Sequence, residues 1–305
     1  HIANMKERYN ALQTQLATGQ RSANLAEMGS DRFFDLSMRS RLSKIDSFGE
    51  TMKTVGFRLE VLDVSISRLD AIEAKQRTSI TPGAYGTGNI NFSTVPTLSL
   101  ASFDEVMTLF NADVGGRYLF GGGLTDKKPV VSPKTALDGD GGKAGFRTVA
   151  TERKAADLGA TNMGRVTVAA ATDTVTLAED GDHPFGFKLS TVATSTADIA
   201  VVQPGAVQPR SLTVQFNTAN LPSAGDKVTV VMTLPDGTEE SIELVATEDI
   251  TPDPGEFTIG ADADQTATNF AAALTDSIEL MAGTTLAAAS TFAAAENFFN
   301  GQGET

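Results

Sequence analysis

Two histidines, His1 and His183, are the only imidazoles in a chain of 305 residues that has no cysteine. A hydrolase or metalloenzyme needs a base, a nucleophile or a cluster of ligands, and cysteine-free chains have no thiolate sites, disulfides or thiol nucleophiles. His183 stands in Gly181-Asp182-His183-Pro184, between two strand-like stretches, which is turn composition rather than a catalytic setting. Asp138-Gly139-Asp140 looks like the start of a calcium loop, but Gly142 falls where a third oxygen ligand is needed and Val149 where the closing glutamate belongs. Gly121-Gly122-Gly123 has neither the spacing of a dinucleotide loop nor the Gly-Lys-Ser/Thr ending of a phosphate loop. The residues therefore suggest no catalytic group, no cofactor and no metal, and the expectation is a protein that is not an enzyme.

The balance of charge narrows the partners. Lys+Arg number 24 against 38 Asp+Glu, a formal charge of -14, so nucleic acid and anionic membranes are disfavoured by repulsion. The sequence reads without an apolar run near the ~20 residues of a membrane span and without the basic-then-apolar order of a secretory leader. It opens on His1 and enters a helical pattern at once, as expected of a piece of a longer gene product.

Any function must then come from the elements themselves. Ile2, Met5, Tyr9, Leu12 and Leu16 recur at alternating spacings of three and four and fall on one helical stripe. Thr18 to Asn24 interrupt it, and Gly29-Ser30-Asp31 supply a second break. From about Asp31 to Thr78 there is no proline, and the stripe returns as Ile45, Met52, Val55, Leu59, Leu62, Ile66 and Leu69. A helix of that length extends about 70 Å at 1.5 Å per residue. It reads as a rod with a coiled-coil-like seam, in which Leu59→Asp or Leu62→Asp is expected to cost several kcal/mol where the position is core. Pro82, Gly83, Gly86 and Gly88 end it, and Ser102 is expected to cap a shorter helix carrying Phe103, Val106, Met107 and Phe110.

After Gly164 the apolar period changes to two: Val166 and Val168, Val175 and Leu177, Phe185 to Leu189, Leu212 to Phe216. The clearest hairpin joins Val228–Leu234 to Ile242–Ala246 through Pro235-Asp236-Gly237, with Thr229, Thr233, Glu239 and Glu243 marking a wet face. From Asp264 two Ala-rich helices are expected, parted at Gly283. The fold class is α+β and multidomain, with a helical domain over 1–130, loops over 131–164, and a β-rich domain with two C-terminal helices over 165–305.

Leu16-Ala17-Thr18-Gly19-Gln20-Arg21, followed by small and acidic residues and then a very long helix, resembles the helical D1 segment of the flagellin family. Gly56, Leu59, Leu62, Asp63 and Ile66 are similar to that family's second-helix run. Gly116-Arg117-Tyr118-Leu119-Phe120-Gly121-Gly122, with Asn111 before it and Thr125, Asp126 and Pro129 after, resembles the Gly-x-Tyr-Leu-Phe-x-Gly motif of the family's hook-filament junction branch, the hook-associated proteins. Met28-Gly29-Ser30-Asp31 stand where the family has Asp-Asp-Pro, and the family's terminal helices have no counterpart here, as expected of a chain trimmed at both ends.

The resemblance implies a secreted, extracellular structural subunit of the bacterial flagellum, with flagellin, hook-associated proteins and further copies of itself as partners. It also implies an export chaperone and no membrane insertion. Under it, Ile2, Met5, Tyr9, Leu12, Leu16, Met52, Val55, Leu59, Leu62, Ile66 and Leu69 form the assembly seam. Bulk flagellin and an adhesive or ligand-binding surface protein are the competing readings.

Overall fold

Forty-nine proline-free residues form a single helix, α2 (Arg32–Ile80), about 74 Å long at 1.5 Å per residue. In the computed structural model, which describes residues 1–20, 28–80 and 95–301, with backbone alone for 78–80, 95 and 96, it belongs to the first of two units, His1–Val131 and Ser132–Thr305. The first unit also holds α1 (Ile2–Thr18), closed by Gly19 at φ 67, and α3 (Val95–Phe110). Arg21 and the residues after it to Glu27, and Pro82 to Gly88, lie outside the described residues. Ser102 is inside α3 rather than at its cap. The helix starts seven residues earlier, with Pro96 in its first turn, where a missing N–H costs nothing.

α3 lies along the carboxyl end of α2. Ile72 and Ser65 are buried, and Leu62 and Leu69 half-buried, on α2; Met107 is buried on α3. Gln76 Nε2 donates to Ser102 Oγ at 2.6 Å, and Arg68 forks onto the Glu105 carboxylate. The Arg68 hydrogen bond and charge hold the Glu105 carboxyl below its ordinary value. A hairpin, β1 (Asp113–Val114) and β2 (Arg117–Tyr118), follows α3.

Residues 131–164, read as loops from their prolines and glycines, contain two helices: α4 (Pro133–Asp138), capped by the Ser132 hydroxyl, and α5 (Phe146–Leu158). Both belong to the second unit. Phe146 packs on Phe298 and Phe299 of α7 (Ala287–Asn300), with ring centroids 5.8 and 5.5 Å apart. α5 thus sits on the unit's last helix and α4 packs on α5.

The segments between them in sequence form two four-stranded sheets. One has the order β3 (Val166–Ala171), β4 (Thr174–Glu179), β7 (Ser211–Phe216), β6 (Ile199–Val202) and is antiparallel. The other runs β10 (Glu256–Thr258), β9 (Glu239–Thr247), β8 (Lys227–Thr233), β5 (Lys188–Thr194), with β10 alone parallel to its neighbour. The β8–β9 hairpin turns at Pro235-Asp236-Gly237 as its residues dictate, with Gly237 at φ 82. Its wet face is as expected, Glu239 and Glu243 exposed and Thr229 and Thr233 half-buried. Phe185 and Phe187 precede strand β5 rather than form it. The fully buried Phe187 ring lies against Gly164 (φ 65), where a Cβ would stand 2.4 Å from it.

One side of the sandwich is filled by α6 (Ala263–Met281), whose Phe270, Leu274 and Ile278 have no exposure. The Phe216, Phe257 and Phe270 rings meet edge-on with centroids 5.2–5.9 Å apart. Opposite, the amide of Gln203 accepts from the Val192 N–H at 3.1 Å and donates to the Val192 carbonyl, so one side chain joins the two sheets. At one end, Glu179, 5% exposed, accepts from the N–H groups of Leu189 and Arg210.

Gly283 does not part the final helices. It sits in a π-helical turn, Ala282–Leu286, that carries α6 directly into α7. The buried stripe 270, 274, 278, 282, 286, 290, 294 steps by four. On a helix of 3.6 residues per turn each such step leads by about 40°, and the wider π turn absorbs part of that drift. By length and composition Ala263–Asn300 is apolar enough to cross a membrane, contrary to the expectation that no run approaches that length; here its apolar stripe packs on the sandwich over α6 and on α5 over α7.

Candidate functional site

The side chains expected to form a seam separate into two groups. All five on α1 are exposed, from Tyr9 at 62% to Leu16 at 89%, and α1 buries none of its residues. On α2, Leu62 and Leu69 turn toward α3, while Met52, Val55, Leu59 and Ile66 remain 46–72% exposed. The private seam of α2 is thus Leu62, Ser65, Leu69 and Ile72, displaced from the expected one because a serine occupies a buried position. Leu59 is not a core residue of this chain. Phe33, Phe34, Leu42, Ile45 and Phe48 extend the exposed apolar surface toward the start of α2, and the three phenylalanines were not read from the sequence.

Charge is divided between the units. Residues 1–131 carry 15 Lys+Arg and 14 Asp+Glu, whereas 132–305 carry 9 and 24. The apolar helices are therefore close to neutral and the sandwich holds the whole negative excess, so like-charge repulsion does not oppose the approach of further chains to α1 and α2.

The glycine-rich motif is a small self-contained fold. Gly115 and Gly116, at φ 63 and 74, make the two-residue turn of the β1–β2 hairpin, which requires positive φ at both centres. Asp113 Oδ2 accepts the Gly116 N–H at 3.0 Å. Tyr118 donates its N–H to Thr125, Leu119 to Ala112, and Phe120 meets Phe110 edge-on at 5.5 Å. Gly121 lies where a Cβ would be 2.6 Å from the Leu124 carbonyl oxygen, and Gly122 has φ 57. Arg117 extends to Thr125 Oγ1 at 3.2 Å. These residues shape the loop after α3; Gly116, Arg117 and Gly122 are exposed, and Tyr118, Leu119, Phe120 and Gly121 half-buried.

His183 sits in an ionic cluster rather than a cleft. Its Nε2 lies 2.5 Å from Asp180 Oδ1, its Nδ1 accepts the Phe185 N–H at 3.3 Å, and Arg165 bridges Asp180 to the Ala156 carbonyl at the end of α5. Burial lowers the Lys188 pKa, against the pull of Glu179 and Asp180. Asp157, fully buried, pairs with Arg153 at 2.7 Å and accepts the Gly186 N–H. Arg165 and Asp157 tie the end of α5 to the segment between β4 and β5, and His183 with Asp180 closes that segment on itself. Neither Asp157 nor Glu179 belongs to a local motif, so neither was legible from the residues alone.

The Asp138–Gly142 run spends its carboxylates locally, Asp138 on Arg147 and Asp140 on the N–H groups of Gly142 and Lys143. Among the described residues no group of three or more His, Asp or Glu is arranged to hold a metal ion. A cleft of about 820 Å³ opens beside β9, β10 and α6, with Ile250 and Leu280 on its walls. Comparison with family models, with curated proteins and with solved structures found no match to this chain.

Proposed function

We propose that this chain is a structural subunit of the bacterial flagellum, a hook-filament junction protein that assembles outside the cell through α1 and α2. The observation that carries the reading is the heptad-spaced apolar surface that those helices leave exposed. Nine side chains of the expected seam, Ile2, Met5, Tyr9, Leu12, Leu16, Met52, Val55, Leu59 and Ile66, are 46–89% exposed. At about 1.5 kcal/mol or more for each one covered, they exceed the low end of the roughly 4–15 kcal/mol that association costs. Isolated proteins do not keep an apolar surface of that length uncovered.

The resemblance of Leu16 to Arg21 and of Gly116 to Gly122 to the flagellin family supports the same reading, and it names flagellin, hook-associated proteins, further copies and an export chaperone as partners. The work is mechanical. Long helices side by side share load over many small contacts, and the acidic sandwich keeps the assembled surface soluble.

Electron microscopy of flagella from cells lacking the gene, with the medium probed for shed flagellin, tests this. Complete hooks without filaments and flagellin monomers in the medium are expected. Normal filaments refute the junction role, and loss of the filament with thousands of copies of this chain per flagellum in the parent strain identifies bulk flagellin instead.

A further inference from the structure

The outer edge of β9 is only partly occupied. β9 runs from Glu239 to Thr247, but β10 pairs with Val245, Ala246 and Thr247 alone. Val245 donates its N–H toward β10, to Gly255, whereas Ala246 exchanges hydrogen bonds with Asp226 and Gly225 on the β8 side. Backbone groups alternate along an antiparallel strand, so Ser241 and Glu243 also direct their N–H and C=O away from β8. Neither has a backbone partner on that side among the described residues. β10 stops short because Pro252 and Pro254 precede it and proline has no N–H to lend to a ladder.

That open edge faces the cleft beside α6. The walls carry Glu243, Asp253, Glu256 and Asp276 and no Lys or Arg; Lys227 on β8 pairs with Glu243 at 2.7 Å. No Lys or Arg occurs anywhere after Lys227, over which stretch there are 14 Asp+Glu. Ile250 at 91% and Leu280 at 68% exposure offer apolar contacts across the opening. A second copy of the same region, equally acidic, is repelled.

We propose that this cleft binds an extended, Lys- or Arg-bearing peptide segment of a partner protein, added as a strand to Ser241–Glu243 in line with β10. Main-chain hydrogen bonds to the edge hold such a segment, alternate side chains enter the cleft, and the carboxylates select cations. The reading does not depend on the flagellar one, since it rests on the sandwich alone.

The test uses the full chain and three hexapeptides: acetyl-Lys-Val-Lys-Val-Lys-Val-amide, its glutamate counterpart, and the lysine peptide N-methylated at alternate residues. The lysine peptide is expected to bind by calorimetry and to shift the Ser241 and Glu243 amide resonances. The glutamate and N-methylated peptides are expected to lose binding. Asp253→Lys is expected to weaken it about tenfold, roughly one charged contact. Ser241→Pro removes an outward N–H without touching the β8 ladder and is expected to weaken binding at unchanged melting temperature; where that variant does not fold, the N-methylated peptide decides. Equal binding of the N-methylated peptide overturns strand addition, equal binding of the glutamate peptide overturns the charge selection, and no binding of the lysine peptide overturns the proposal.

Discussion

The two units use apolar side chains in opposite ways. Among the described residues of the first, Ile72 and Met107 are the only apolar side chains fully buried; the second buries two sheets' inner faces and the length of α6. α2 and the α6–α7 run are both long and regularly striped, yet the stripe of the second is covered by strands and α5, while α2 is bare along its first thirty residues. A stripe, then, shows that a helix will be covered without showing by which chain. The cover for α6 comes from within, whereas this chain leaves the stripe over the first thirty residues of α2 open.

That contrast can be broken most forcefully in the sandwich. Phe270→Ala empties the centre of three meeting rings and is expected to cost about 3–5 kcal/mol, read by urea unfolding at a sheet-sensitive signal. If the helical signal of α2 is lost in the same transition, the two units are not energetically separate and the comparison falls.

Leu59→Asp sharpens the contrast from the other side. At 61% exposure, the change is expected to move the unfolding free energy of the isolated chain by no more than about 0.5 kcal/mol, while abolishing assembly followed by sedimentation. A large loss of monomer stability makes the position a private core residue instead.

The smallest effect concerns Arg68 and Glu105, which join α2 to α3. The folded carboxyl is held below its ordinary value, so the pair's contribution is complete above the unfolded glutamate pKa of about 4.3 and is lost as pH falls through the lower folded value. Both groups are open to solvent, so the effect is slight and screened by salt. Glu105→Gln is expected to remove this acid dependence from the α2–α3 contact, measured by amide exchange at Ile72 between pH 3 and 5 in low salt.

What could be read from residues alone followed distance along the chain. The period-two runs at Val175, Leu212 and Val228, the Pro235-Asp236-Gly237 turn and the proline-free stretch of α2 all act within a few residues, and each took the form its spacing predicts. Ser65 hid the true seam, because a serine in a buried heptad position carries no apolar signal. α5 was masked by the prolines and glycines around it, and its main packing partner is α7, some 140 residues onward. Glu179 and Gln203 are ordinary polar residues in sequence, and their roles arise from strands that meet in space. The cleft beside β9 exists because β10 is short, which depends on where two prolines fall relative to a distant edge.

Gln203 has a further consequence for how the sandwich moves. Along β5 the sheets are joined by side chains, the Gln203 carboxamide at Val192 and Glu179 and Arg210 at Leu189, rather than by a ladder, so they can part there like the covers of a book, with α6 as the spine and no strand pair unzipped. Hydrogen exchange should then divide the Val192 amide from the ladder amides of β4, β7, β8 and β9: the first follows the opening of the covers, and the others wait for the pages themselves to come apart.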